Sequence, residues 1–234
     1  IEDPYAYDCF NDFFTRQLKH DARPICPEQD SIVSPCDGQL IQFGAIERGQ
    51  LIQAKGLYYP LIELLHGEGN ISQYKSGTFM TIYLAPNNYH RVHMPFDGTL
   101  TKTTYVPGAL FSVNPRYMGS IDRLFCRNER LICHFDSDQG PFIQILVGAS
   151  MVGGIHTPWS GQITPSSQRH PKTQQHTSDN IPALAKGDEM GHFSFGSTVI
   201  LLLPQAKAKL KSDLEKGQSL QLGQAVAKWC CQPS

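Results

Sequence analysis

The stretch HFSFGSTVILLLP, His192 to Pro204, decides how the rest of the chain is read. Val199 to Leu203 is an unbroken aliphatic run closed by a proline, which predicts one apolar strand. Gly196-Ser197-Thr198 interrupts that strand at its entrance. Glycine weakens a strand, and inside one it marks a bulge or a place where something approaches the backbone closely. Two hydroxyls stand beside that glycine, and what they do there is the question the rest of the chain must answer.

Outward from this run the chain keeps strand character. TFMTIYLAP, TKTTYVPGALFSV, RLICHFDS and PFIQILVGASMVGGI are rich in β-branched and aromatic residues and are bounded by turn residues. PCDGQL (35–40), PFDGTL (95–100) and PWSGQI (158–163) share the pattern Pro-x-Asp/Ser-Gly-x-aliphatic, each a tight turn feeding a strand. Three copies at near-equal spacing suggest equivalent turns in one pseudo-symmetric β-sandwich or barrel. The rhythm of KGDEMGHFSFGSTV adds a likeness to biotinyl/lipoyl-type barrels. The expected class is therefore mainly β (α+β) with few helices.

One expected helix is PLIELLHG, stopped by Gly67. The other is amphipathic and lies in residues 1–30, where Phe10, Phe13, Phe14 and Leu18 share a face. That face either packs on the core or meets lipid, with Arg16, Lys19 and Arg23 near headgroups. Residues 31–234 are expected to form a single catalytic domain. Between Thr164 and Asn180 no strong hydrophobe occurs, which predicts an exposed, mobile loop and a candidate gate.

Composition narrows the function. A net charge of −1 with 18% charged residues argues against a general nucleic-acid binder, which needs a clear Lys/Arg excess. The seven cysteines show no paired C-x-x-C spacing and are expected to be mostly buried thiols. Val199–Leu203, the longest aliphatic run, falls far short of the ~20 apolar residues that span a bilayer.

Ser197 is the candidate nucleophile, and a serine needs a base. His90 and His93 of NNYHRVHMP are the conspicuous ones, and in a regular strand a spacing of three places them on opposite faces. A Ser-His-Asp hydrolase is one reading, weakened because the segment lacks the second glycine of G-x-S-x-G and a following helix. A zinc site from His90 and His93 lacks further ligands. A carrier or binding module lacks the lysine that such a hairpin presents. The remaining option is attack of Ser197 on the Gly196 carbonyl: the acyl shift gives an ester, its elimination cuts the chain, and the serine becomes a pyruvoyl group.

FNDFFTRQL, RPI, SPCDG, YHRVHMP, YVPGALFSVN, RNER, ILVGASMVGGI, KGDEMGHF and FGSTV, in this order, resemble the blocks of the phosphatidylserine decarboxylases, in particular the bacterial membrane-associated type. The resemblance covers about Phe10 to Gly223. Phe195 stands where that family most often has leucine. It implies self-cleavage between Gly196 and Ser197 into a β chain of residues 1–196 and an α chain of residues 197–234 that carries the pyruvoyl cofactor, with no metal. It further implies a processing triad of Asp37, His93 and Ser197, with His90 as the acid of turnover. Implied partners are phosphatidylserine in the membrane, the chain's own two pieces as a heterodimer, and a homodimer of these. The implied location is peripheral, on the cytoplasmic face of the bacterial inner membrane, with Phe10, Phe13 and Phe14 as membrane contacts.

Overall fold

A computed structural model describes residues 7–150, 154–164, 166–177, 183–194 and 197–230. Its backbone is mainly β, with few and short helices. The apolar run does form the strand Ser197–Leu203, every residue of which is buried. It lies between the strands Thr78–Leu84 and Phe142–Val147 and pairs antiparallel with both. Hydrogen-bonded on both edges and covered on both faces, this strand has no exposed side, which is why its sequence does not alternate with polar residues.

The sheet around it has nine strands. From one edge they run Lys172–Gln175, Gly98–Val106, Arg130–Asp136, Phe142–Val147, Ser197–Leu203, Thr78–Leu84, Gly38–Ala45 and Ser219–Leu220, and Ala183–Leu184 also pairs with Gly98–Val106. Side chains alternate across it. Val199, Leu201 and Leu203 face one buried cluster, while Ile200 and Leu202 face the other. The first face is covered by two smaller sheets. One orders Ser31–Val33, Ala225–Trp229 and Ala208–Leu210; the other orders Gly161–Gln162, Ile155–Thr157, Glu189–Phe193 and Arg91–His93. The second face is covered by the hairpin Gln50–Ala54/Leu57–Pro60 and the short helices Leu61–Leu64 and Leu124–Arg127. Among the described residues none of the sheets closes on itself, so of the expected sandwich or barrel it is the layered arrangement that is seen.

The Pro-x-Asp/Ser-Gly turns behave as read, because Gly38, Gly98 and Gly161 are each the first residue of a strand. Four expectations change. TKTTYVPGALFSV leaves the sheet at Val106, since Pro107 offers no N–H to the ladder. The polar 164–180 segment is not wholly loop: Lys172–Gln175 hydrogen-bonds to the edge of the large sheet with all four residues exposed, using backbone groups that need no apolar side chain. The N-terminal helix is only Phe10–Phe14, and its aromatic face divides: Phe14 is buried, while Phe10 is 62% exposed. Of the six cysteines described, only Cys36 and Cys133 are buried. Among the described residues, no helix is long and apolar enough to cross a membrane.

At Gly38 the neighbouring strand leaves no room for a side chain. A Cβ there lies 2.6 Å from the Tyr83 carbonyl oxygen and 2.7 Å from Ile82 Cγ2. Gly38→Ala is therefore expected to lower unfolding free energy by about 1–3 kcal/mol. Gly119→Ala, with nothing within 4 Å of its Cβ, should stay within about 0.5 kcal/mol of the parent in the same denaturant titration.

Candidate active site

Ser197 opens the central strand rather than preceding a helix. Its side chain is fully buried, and Oγ has no hydrogen-bond partner among the described residues. Phe195 and Gly196, the residues before the expected cut, lie outside the described residues. Ser197 shares a face with Val199, Leu201 and Leu203, so it looks toward the layer that contains Arg91–His93 and Glu189–Phe193.

Ser197 is paired with Leu84, and just past Leu84 the chain turns back into the histidine motif. The turn closes reciprocally: Asn88 N donates to the Ala85 carbonyl, and Ala85 N donates to Asn88 Oδ1, each at 2.8 Å. His90 Nε2 lies 3.0 Å from that same carbonyl. A carbonyl only accepts, so Nε2 carries the hydrogen and Nδ1 is left bare. Nδ1 is buried without a partner among the described residues. Phe14 stacks on the ring with centroids 4.0 Å apart. Burial lowers the His90 imidazole to about 4, so it is neutral at neutral pH.

His93 is wired the other way. Its Nδ1 donates to the Gly187 carbonyl at 2.8 Å, which leaves Nε2 to accept from the Tyr89 hydroxyl at 3.0 Å. Burial lowers this imidazole too, against the Gly187 hydrogen bond. Along the motif His90, Val92 and Met94 are buried while Arg91 and His93 are half-buried, so the two histidines do take opposite sides. Arg91 pairs with Glu189 at 2.7 Å and donates through Nε to the Thr15 carbonyl, which ties down the end of the N-terminal helix.

Asp37 is buried at the turn before Gly38–Ala45. Arg23 grips its carboxylate with two parallel hydrogen bonds, 2.9 Å from Nε and 2.6 Å from Nη2, and Leu222 N donates to Oδ1 at 2.9 Å. The backbone N of His93 donates to the Pro35 carbonyl at 2.7 Å, so the two motifs are neighbours. Ladder register places Gln39 opposite Tyr83 and Tyr83 opposite Thr198. Asp37, His90, His93 and Ser197 thus gather at one end of the large sheet. They are not joined to one another by hydrogen bonds: Asp37 is held by Arg23, His93 by Tyr89 and Gly187, and His90 by Ala85.

Sequence reasoning did not single out Tyr89 or the Arg23 grip on Asp37. Both were visible as residues of quoted blocks, but their partners lie four and fourteen positions away through turns that periodicity does not encode. Among the described residues, no group of three or more His, Cys, Asp and Glu side chains converges to hold a metal ion.

With this geometry in view, the chain is similar to known proteins over nearly its whole length. The family model described as phosphatidylserine decarboxylase matches residues 10–228. A phosphatidylserine decarboxylase proenzyme of Alcanivorax borkumensis is 50% identical over 224 residues, 95% of this chain and 77% of the relative. The proenzyme of that name from Nitrosococcus oceani is 45% identical over 96% of this chain and 74% of its own length. The one from Legionella pneumophila is 46% identical over 97% and 80%.

Buried neutral histidine has a pH signature. An unfolded imidazole takes up a proton near 6.5, whereas folded His90 resists until about 4, so stability falls as pH drops through that window. At about 1.4 kcal/mol per pH unit the loss is on the order of 3 kcal/mol. His134, also lowered to about 4 by burial, adds a similar decline. In a Ser197→Ala background, His90→Asn should make the fall between pH 6.5 and 4 clearly shallower in denaturant titrations, and an unchanged slope would contradict a neutral buried His90.

Proposed function

The chain belongs to the phosphatidylserine decarboxylase family, and on that premise we propose that it converts phosphatidylserine to phosphatidylethanolamine after cutting itself between Gly196 and Ser197. The observation that carries the reading is the Ser197 hydroxyl: fully buried at the head of a fixed strand, with no partner among the described residues. An unsatisfied buried hydroxyl costs about 1–3 kcal/mol, and here that polar atom stands next to the bond to be cut. It also fits the cofactor, because conversion of the serine carries that oxygen away on the new Gly196 carboxylate, leaves Cβ as a methyl, and sets a keto oxygen from water on Cα at the head of the strand as ammonia leaves. The pyruvoyl group supplies the electron sink for decarboxylation, as other carbonyl cofactors do.

In this reading Ser197 attacks the Gly196 carbonyl and His93 receives its proton at Nε2. Tyr89 now caps that nitrogen, so processing exchanges the phenol for the serine hydroxyl. Asp37 is the carboxylate next to the histidine loop and stabilises the imidazolium once formed, while Arg23 and Leu222 N hold it in place. His90 serves turnover. Its bare Nδ1, on the buried side of the motif, would take up a proton that the substrate ammonium gives up on condensing and pass it to the carbon from which carbon dioxide leaves.

The substrate is a bilayer lipid, and the chain is read as peripheral on the cytoplasmic face of the bacterial inner membrane. Exposed Phe10 and half-buried Phe13 would meet the lipid, while Phe14, packed on His90, sits behind them. The catalytic domain is read as residues 31–234.

Ser197→Ala should remain full length on denaturing gels and release no carbon dioxide. His93→Ala should also remain uncut, whereas His90→Ala should be cut and lose at least ~100-fold in turnover, within the range of general acid–base catalysis. Borohydride should inactivate the cut parent; resistance, together with an uncut and active parent, would refute the pyruvoyl reading.

A further inference from the structure

The large sheet carries a second feature at the same end as Ser197. A register row crosses the strands there: Thr198 stands opposite Val147, Val147 opposite Arg130, and Arg130 opposite Val106. At about 4.8 Å per strand, Arg130 lies about 10 Å from Thr198 across the sheet. Its side chain alternates with Leu131 of the first cluster and matches Ile132 of the second, so it points to the face opposite Ser197. Below it opens a cleft of about 760 Å³.

Four of the chain's nine arginines line this cleft: Arg123, Arg127, Arg130 and Arg169. Arg123 is compensated, with Glu63 at 2.9 and 3.1 Å and Asp122 at 3.0 Å. The other three have no carboxylate partner among the described residues. Arg127 lies over the Phe111 ring at 4.7 Å, and Arg169 is exposed. Arg130 is 2% exposed and donates to the carbonyls of Leu64, Cys126, Asn128 and Glu63. Those bonds use four of its five N–H donors, and one on Nη2 is left over. A buried guanidinium held by carbonyls alone keeps its full charge, and burial lowers it to about 10. In a chain of net charge −1 this is a concentrated positive cleft with a buried cation at its floor.

Apolar side chains stand beside it. Ile62, 56% exposed, lines the cleft. Leu110, 42% exposed, follows the end of Gly98–Val106 and reaches Gly148, next to Val147. Phe10 belongs to the helix that packs on His90 at this same end of the sheet. Exposed apolar groups around a cationic cleft form the pattern of a surface that meets anionic lipid headgroups.

We infer that the Arg127/Arg130/Arg169 cleft binds the phosphate of an anionic glycerophospholipid other than the substrate, and that this grip docks the Ser197 end of the sheet on the bilayer. The inference rests on the bilayer-lipid reading of the active site and extends it to a separate site on the other face. Free phosphate shares the chemistry; the lipid is favoured by the flanking Ile62 and Leu110, which a soluble ion does not need.

The test is flotation of the full chain with phosphatidylcholine vesicles, with and without phosphatidylglycerol, at low salt. Arg127→Gln/Arg169→Gln removes two rim charges that make no ion pair, and equal thermal midpoints check its folding. At about 1 kcal/mol per charge, binding to the phosphatidylglycerol vesicles should fall about tenfold or more, with little change on phosphatidylcholine alone. Lys75→Gln/Lys209→Gln makes the same charge change outside the cleft and should lose less than about twofold; an equal loss from both pairs means general attraction and overturns the site. An unchanged affinity of the arginine variant overturns it too. Inorganic phosphate that raises the parent's thermal midpoint through Arg127 and Arg169, without any arginine dependence of vesicle binding, would replace the lipid by a free anion. Decarboxylation of a short-chain soluble phosphatidylserine by the parent is scored separately, so failure of the enzymatic reading is distinguishable from failure of the cleft.

Discussion

The Ser197 hydroxyl sits where the sheet cannot solvate it. The strand behind it is fixed by backbone hydrogen bonds on both edges and by apolar layers on both faces, so the oxygen cannot swing out to water without breaking a strand buried along its whole length. Everything else at this end is arranged around that immobility. The His90 turn folds back beside the strand's partner Leu84, the Asp37 turn is in register with it, and the N-terminal helix closes over His90. A rigid nucleophile requires its proton acceptors to come to it, which places the adjustable parts of the site in the turns.

The two histidines show how backbone carbonyls choose chemistry. Each ring faces one carbonyl, Ala85 for His90 and Gly187 for His93, yet opposite nitrogens are used. Opposite tautomers follow, and with them opposite basic atoms: a bare Nδ1 turned inward and an Nε2 occupied by Tyr89. Spacing of three in a strand was enough to foresee the separation into two faces. It did not reveal the tautomers, which depend on turns that bring carbonyls from one position and from a distant loop.

Much of the architecture was legible for a simple reason. The strands at Thr78, Arg130, Phe142 and Ser197 are buried on both faces, and continuous apolar runs advertise that directly. The glycine turns were equally readable, because a strand starting hard against a neighbouring carbonyl tolerates little else at that position. What sequence concealed was held together by backbone rather than by side chains. Lys172–Gln175 joins a sheet with four exposed polar side chains, and Arg130, written in a polar block, is buried because carbonyls of two helices surround it. The five-residue helix was read as longer because Leu18 continues the spacing of the phenylalanines, although the chain has already left the helix at Thr15.

The position of Ser197–Leu203 in the middle of the nine-stranded sheet gives self-cleavage a further meaning. A cut before Ser197 assigns to the shorter piece both that strand and Ala225–Trp229, the middle strand of the three-stranded sheet. The longer piece then keeps a large sheet split around a strand of another polypeptide, and only Ser31–Val33 of the three-stranded sheet. Such fragments are interleaved rather than docked, and neither retains a core of its own. Processing thus converts a unimolecular folding problem into a bimolecular one, in which recovery after unfolding depends on concentration. A chain so cut that unfolds and loses one piece to dilution does not recover, so the cut would be a one-way step for the fold as well as for the peptide bond.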